Sequence, residues 1–170
     1  MTASGTTDQN GRVASLHLHP TEPGAQLQTV EAIEVIEAKG ISGEPRYFGR
    51  MSRATGQPIR RQISLIEREQ IAEHAAALGL QSIPAGGVRS NIETLGINLI
   101  AVVGREIEIG EAVLSIYTAR DPCAKMDAVC QGLRALMMNN RQGVMAEVVR
   151  SGRIRVGDPI KVRAVERKES

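Results

Sequence analysis

Ile107-Glu108-Ile109-Gly110-Glu111-Ala112-Val113-Leu114-Ser115-Ile116-Tyr117-Thr118 is the stretch that decides the fold. Ile107 to Ile109 and Val113 to Tyr117 are β-branched, apolar-rich runs parted by Gly110, and Leu114 to Thr118 alternates as a half-buried strand does. Arg120-Asp121-Pro122 then breaks the pattern. Proline has no amide donor and biases the residue before it toward extended geometry, so the ladder is predicted to stop there. That leaves Cys123 at a strand end, flanked by Arg120 and Lys125. Cations lower a thiol's pKa, and the thiolate is the form that attacks electrophiles or binds soft metals. Cys123 is therefore a candidate nucleophile, persulfide carrier or metal ligand, set against the plainer role of a small buried hydrophobe.

Working outward, the same short-strand pattern recurs. Val13 to His19, Val30 to Ala38, Gln62 to Ile66, Ile97 to Val103, Val144 to Val149 and Ile160 to Val165 all read as strands. Glu67 to Leu78 is rich in helix formers and Gly79 is a natural stop, while Leu133, Leu136 and Met137 give Gly132 to Asn140 helical spacing. Gly152 to Asp158 reads as the connection between the last two strands. Many short strands with two or three short helices predict a mainly β, β-barrel-like domain with a few peripheral α-helices. Met1 to Gly11 is small, polar and aperiodic and reads as a disordered lead, as does the tail from Glu166 to Ser170, leaving one domain over residues 12–165.

Composition excludes several classes. The chain has 170 residues, enough for one core, with 42% hydrophobic and 24% charged residues. One Phe, two Tyr and no Trp leave little for bases to stack on, and a net charge of +2 with interspersed signs is no polyanion surface. Nucleic-acid binding is not expected. No apolar run approaches membrane-spanning length, and the N-terminus lacks a signal core, so a cytoplasmic protein without membrane association is expected. Two cysteines are too few for a disulfide scaffold, and Cys130 reads as structural filler.

Other polar groups have competing readings. Arg89-Ser90-Asn91-Ile92-Glu93-Thr94 offers a forked cation, an amide and a hydroxyl that could hold a phosphate or polar heterocycle, although such residues more often stabilise turns. His17 and His19 share a strand face without further metal ligands and read as solvated, as does His74 in the alanine-rich helix. Arg50, Arg53, Arg60 and Arg61 read as a solvated loop, with the mouth of an anion site as the alternative.

The ordered set of Gly40-Ile41-Ser42-Gly43, Arg61-Gln62-Ile63-Ser64-Leu65-Ile66, Arg89-Ser90-Asn91-Ile92-Glu93-Thr94, Ile107-Glu108-Ile109-Gly110, Pro122-Cys123 and Gly152-Arg153-Ile154-Arg155-Val156-Gly157-Asp158 resembles the MOSC domains, named for the C-terminal region of molybdenum-cofactor sulfurases. The resemblance implies a barrel-like fold and makes Cys123 the family's characteristic cysteine. It implies either binding of molybdenum cofactor, with the Cys123 sulfur on the metal, or sulfur carriage from a pyridoxal-phosphate-dependent cysteine desulfurase. Arg89 and Asn91 would contact the pterin phosphate or ring edge, with Thr94 as a helper and Arg120 and Lys125 beside the cysteine. Arg46 would match the basic residue after the family's glycine turn, although Glu44-Pro45 stands where an aspartate is expected. The expected function is a molybdenum-dependent oxidoreductase reducing N-oxygenated small molecules with an external redox partner. A sulfur-carrier module and a non-catalytic family member are the alternatives.

Overall fold

Gln62 to Ile66 is buried on both faces, and the architecture is arranged around it. The computed structural model describes residues 10–164. Its strands are β1 (Asn10–Leu18), β2 (Gln28–Val30), β3 (Ala32–Ile36), β4 (Gly40–Ile41), β5 (Ile63–Glu67), β6 (Ile92–Leu95), β7 (Glu106–Ile109), β8 (Ala112–Ala119), β9 (Val144–Arg150), β10 (Gly152–Arg155) and β11 (Pro159–Val162). Three α-helices accompany them: α1 (Arg68–Ala77), α2 (Lys125–Val129) and α3 (Leu133–Leu136). The strand order β11-β7-β8-β9-β5-β6-β1 closes through Asn10↔Lys161, Gly11↔Ile160 and Arg12↔Pro159, giving a seven-stranded barrel that β2 extends at β1. A second sheet, β10-β3-β4, packs against it.

The pairing follows from local sequence. β7 and β8 form the hairpin expected at Gly110, with Ile107↔Leu114 and Ile109↔Ala112 in register. β5 and β6 are parallel, so the chain between them must cross over, and α1 supplies the crossover. Ile63 and Leu65 point into the barrel with Leu16, Ile92, Ile107, Leu114 and Ala146. Ile66, on the opposite face, joins a second apolar cluster with Ile71, Val88, Met126, Leu133 and Met137 under the helices. Burial of such side chains stabilises the fold by about 1.5–3 kcal/mol each.

Several sequence expectations change. β1 takes in Asn10 and Gly11, which the sequence pattern assigns to the disordered lead; residues 1–9 and the tail from Glu166 lie outside the described residues. Ile97 to Val103 is not a strand: a 3-10 turn over Ile100–Val102 buries Leu99 and Val102, three positions apart and so on one side. Gly152 to Asp158 is not merely a connection, because β10 pairs with β3 from Gly152↔Val35 to Arg155↔Ala32. The helix expected over Gly132 to Asn140 shortens to α3. None of the three histidines is solvated. His17 is fully buried, His74 donates from Nε2 to the Arg141 carbonyl at 2.9 Å, and His19 is shielded by Glu44.

Gly143 has φ of +81°, and a Cβ there would strike the Leu65 carbonyl and lie 2.9 Å from Ile66 Cα. Gly104, at φ of +90°, has open space instead. We predict that Gly143→Ala destabilises by roughly 3 kcal/mol, strand displacement adding to left-handed strain, whereas Gly104→Ala costs about 1 kcal/mol. Urea denaturation of both variants checks the contrast; equal losses would contradict the close β5–β9 approach.

Candidate functional site

The end of β8 and the loop before β6 meet over one mouth of the barrel wall. β8 stops at Ala119, yet the Arg120 amide still donates to the Gly143 carbonyl at 2.9 Å, so the strand's exit is fixed. Asp121 and Pro122 carry the chain clear, leaving Cys123 exposed just before α2, its carbonyl accepting from the Met126 amide at 3.0 Å. Arg120 turns back: its Nη1 donates to Ser90 Oγ at 3.0 Å and to the Arg89 carbonyl at 3.5 Å. Two segments distant in sequence are thus fastened by one guanidinium.

Cys123, Arg89, Asn91, Arg120, Arg46 and Lys125 all line one hollow of about 250 Å³. Thr94 does not belong to it; it is buried and its hydroxyl donates to the Ile66 carbonyl at 3.5 Å. Arg61, for which the mouth of an anion site is the alternative reading, also lines the hollow, as do His19, Tyr47 and Ser64, which sequence reasoning misses. The favoured sequence reading of Arg61 is a solvated loop, and its place over the Tyr47 ring, 5.4 Å from the centroid, comes from tertiary structure alone. Ile63, Met126 and Met145 supply an apolar floor.

The hollow is strongly cationic. Among the described residues, none of Arg46, Arg61, Arg89, Arg120 and Lys125 forms an ion pair. Burial first, and then the neighbouring Arg61, lower the Arg120 guanidinium to about 10; the Cys123 sulfur opposes this. Arg120 therefore stays charged at neutral pH. Arg89 donates from Nη1 to the Ala25 carbonyl at 3.0 Å and sits at φ of +63°, a left-handed conformation that non-glycine residues rarely adopt. Such strain persists where surrounding contacts impose it, often beside a ligand.

Beneath the cations lies a polar knot. Asn91 Oδ1 accepts from the Ser64 amide at 3.0 Å and the Ser64 hydroxyl at 3.1 Å. Its Nδ2 donates to the His17 carbonyl at 3.1 Å and to Glu44 Oε1. Glu44, 3% exposed, also accepts from the His19 amide at 2.9 Å (Oε2) and from His19 Nδ1 at 2.9 Å (Oε1). The residue that departs from the expected glycine-turn pattern is thus the carboxylate that ties β1, β5, and the loops before β5 and β6 together.

A second network supports the loop that bears Arg89. Glu93 Oε1 accepts from Arg68 Nη1 at 2.8 Å, and its Oε2 accepts from the Gly86 amide at 2.7 Å. Arg68 Nη2 also donates to the Ile83 carbonyl at 2.9 Å. His17 packs against Gly86, where a Cβ would lie 2.9 Å from His17 Nδ1, so glycine is required there. Burial lowers the His17 pKa despite Glu93, which alone would raise it.

A family model described as MOSC domain matches residues 25–161. The chain belongs to the MOSC domain family. Among solved structures, the YuaD protein from Bacillus subtilis is similar at 23% identity and a TM-score of 0.77, covering 92% of this chain and 97% of that one. YiiM from Escherichia coli is similar at 20% identity and a TM-score of 0.63, covering 92% of this chain and 72% of its own. YiiM from Geobacillus stearothermophilus is similar at 19% identity and a TM-score of 0.65, covering 91% and 75%. At these identities the likeness is one of fold. No curated protein sequence matches the chain. Within the MOSC barrel, no described helix is long and apolar enough to cross a membrane.

Two outcomes test this geometry. Because burial lowers the His17 pKa in the folded MOSC domain, the unfolded chain binds more protons than the folded one as pH drops below the ordinary histidine value of 6.5. Stability is then full above that pH and falls as pH drops through it, by up to about 1.4 kcal/mol per pH unit. Urea midpoints at mildly acidic and neutral pH should separate more for the wild type than for His17→Gln; identical separations would contradict the lowering of His17 by burial. Glu44→Gln sets an amide N–H₂ against at least one donor and should cost about 2 kcal/mol, whereas an exposed carboxylate such as Glu22 should tolerate the same change.

Proposed function

We propose that this MOSC domain binds the molybdenum cofactor, with the Cys123 sulfur as the protein ligand to the metal, and reduces N-oxygenated small molecules with electrons from an external protein. The observation that carries the reading is a solvent-reachable thiol in one hollow with five cations that form no ion pair among the described residues. An anionic phosphate and a soft metal answer the two halves of that donor set. Among the described residues there is no cluster of three or more His, Cys, Asp or Glu side chains able to hold a metal ion. A metal at Cys123 must therefore bring most of its ligands with it, which a dithiolene-bearing pterin does.

The residues present fit such a group. Cys123 would hold the metal, and Arg89 and Arg120 would hold the phosphate, with Arg46, Arg61 and Lys125 completing the positive rim. Asn91 has both ends of its amide engaged by Ser64, His17 and Glu44, so it frames the hollow rather than gripping a ligand. Thr94 lies outside the hollow, its hydroxyl donating to the Ile66 carbonyl. When bound, the cofactor supplies the two-electron chemistry. The chain supplies orientation, charge and protons. His19 is suited to moving a proton, because its Nδ1 is fixed on Glu44 at 2.9 Å and Nε2 is the atom left to give or take one in the hollow.

The exposure of Cys123 on a loop also favours a second reading, a persulfide carrier served by a cysteine desulfurase. Metal content separates the two. Protein purified from a cofactor-producing host should carry near-stoichiometric molybdenum and oxidisable pterin, and Cys123→Ser should lose about tenfold or more of the metal. Arg89→Ala should weaken retention by about ten- to a hundredfold, as expected for a charged hydrogen bond to phosphate. Full molybdenum in Cys123→Ser would end the ligand assignment. A persulfide on Cys123 after desulfurase treatment, without molybdenum, would favour sulfur carriage.

A further inference from the structure

Residues 46–61 contain Arg46, Arg50, Arg53, Arg60 and Arg61 and no carboxylate. The middle of this segment is a small ordered hairpin. Met51 bridges Pro58, the Ser52 amide donates to the Gln57 carbonyl at 2.8 Å, and the Ile59 amide donates to the Arg50 carbonyl at 3.0 Å. Ser52 Oγ accepts from the Ala54 and Thr55 amides at 3.2 and 3.4 Å, which fixes the tip. The finger stands in solvent, since a Cβ on Gly49 or Gly56 would meet nothing within 4 Å.

An ordered finger with these side chains calls for a partner. Met51 is 53% exposed and Phe48, the chain's single phenylalanine, 38%. Arg50 and Arg53 are exposed and, among the described residues, lack ion pairs; Arg60 is engaged by Glu147 at 2.8 Å. Apolar and arginine side chains presented together, with acidic ones absent, are what the centre of a protein interface displays. Its base is the wall of the hollow itself, because Arg46, Tyr47 and Arg61 belong to both.

We propose that the hairpin at residues 46–61 is the docking surface for an acidic electron-carrier protein, which it seats beside the Cys123 hollow. The partner's charge follows from the arginines, and its role rests on the redox reading proposed above. Two one-electron deliveries from the carrier and two protons convert R–NH–OH into R–NH₂ and water. The carrier is oxidised twice, and the N–O bond is the one that breaks. A nucleic-acid partner is disfavoured by the net charge of +2 and by the single exposed aromatic on the finger.

The test uses the whole cofactor-loaded protein and an acidic plant-type [2Fe–2S] ferredoxin as probe. Amide shift changes should concentrate at residues 46–61, and affinity should fall at least tenfold between low and about 0.3 M salt. Arg50→Glu/Arg53→Glu should weaken ferredoxin binding and ferredoxin-driven turnover at least tenfold, while leaving turnover driven by reduced methyl viologen unchanged. No binding at low salt, shifts on another face, indifference to charge reversal, or tighter binding of a single-stranded oligonucleotide would each overturn the docking surface. Binding mapped to the finger without dye-driven turnover in the wild type would uphold the surface and overturn the redox reading.

Discussion

The buried carboxylate of Glu44 is the constraint on which the candidate site depends. It accepts the His19 amide and imidazole and the Asn91 amide, and Asn91 in turn grips Ser64 on β5. Four segments far apart in sequence converge on these two side chains. A carboxylate taken out of water is costly unless nearly all its acceptor capacity is used, and here backbone and side-chain donors use it. The same knot places the loop before β6, and with it Arg89, over the barrel mouth.

The cations above the knot are the converse case. Five positive side chains around one hollow repel each other, and among the described residues none of the five forms an ion pair. Burial, and after it the charges of Arg61 and Arg89, lower Arg120 to about 10. Arg89 adds local strain at φ of +63°. Backbone strain and perturbed charges of this kind cluster at catalytic and binding sites. The barrel, closed by the β1–β11 pairing, provides the rigidity against which these groups are held.

What can be read from the sequence is governed by local periodicity. Strands β7 and β8 announce themselves because side-chain alternation is a nearest-neighbour property, and α1 because Gly79, at φ of +72°, marks its end. Cys123 is legible for the same reason: Pro122, just beyond the end of β8, fixes where the ladder stops. Failures come where distant segments decide. Ile97 to Val103 has strand-forming composition but pairs with no strand among the described residues, and Ile100–Val102 curls into a 3-10 turn. Ile154 is the one buried residue of β10, and the arginines on either side of it disguise a strand. His17 and His19 look solvated until Gly86 and Glu44 arrive from elsewhere in the chain. Asn91 and Thr94, neighbours in one short motif, end on different sides of the barrel wall.

Whether Cys123 opens into a positive, ligand-ready hollow is tested most directly by its alkylation. Relative rates with anionic iodoacetate and neutral iodoacetamide are measured in a Cys130→Ala background against free glutathione. A positive hollow predicts a preference for iodoacetate several-fold above that of glutathione, lost in about 1 M salt and reduced by Arg89→Ala. A ratio equal to that of glutathione, insensitive to salt, would contradict it.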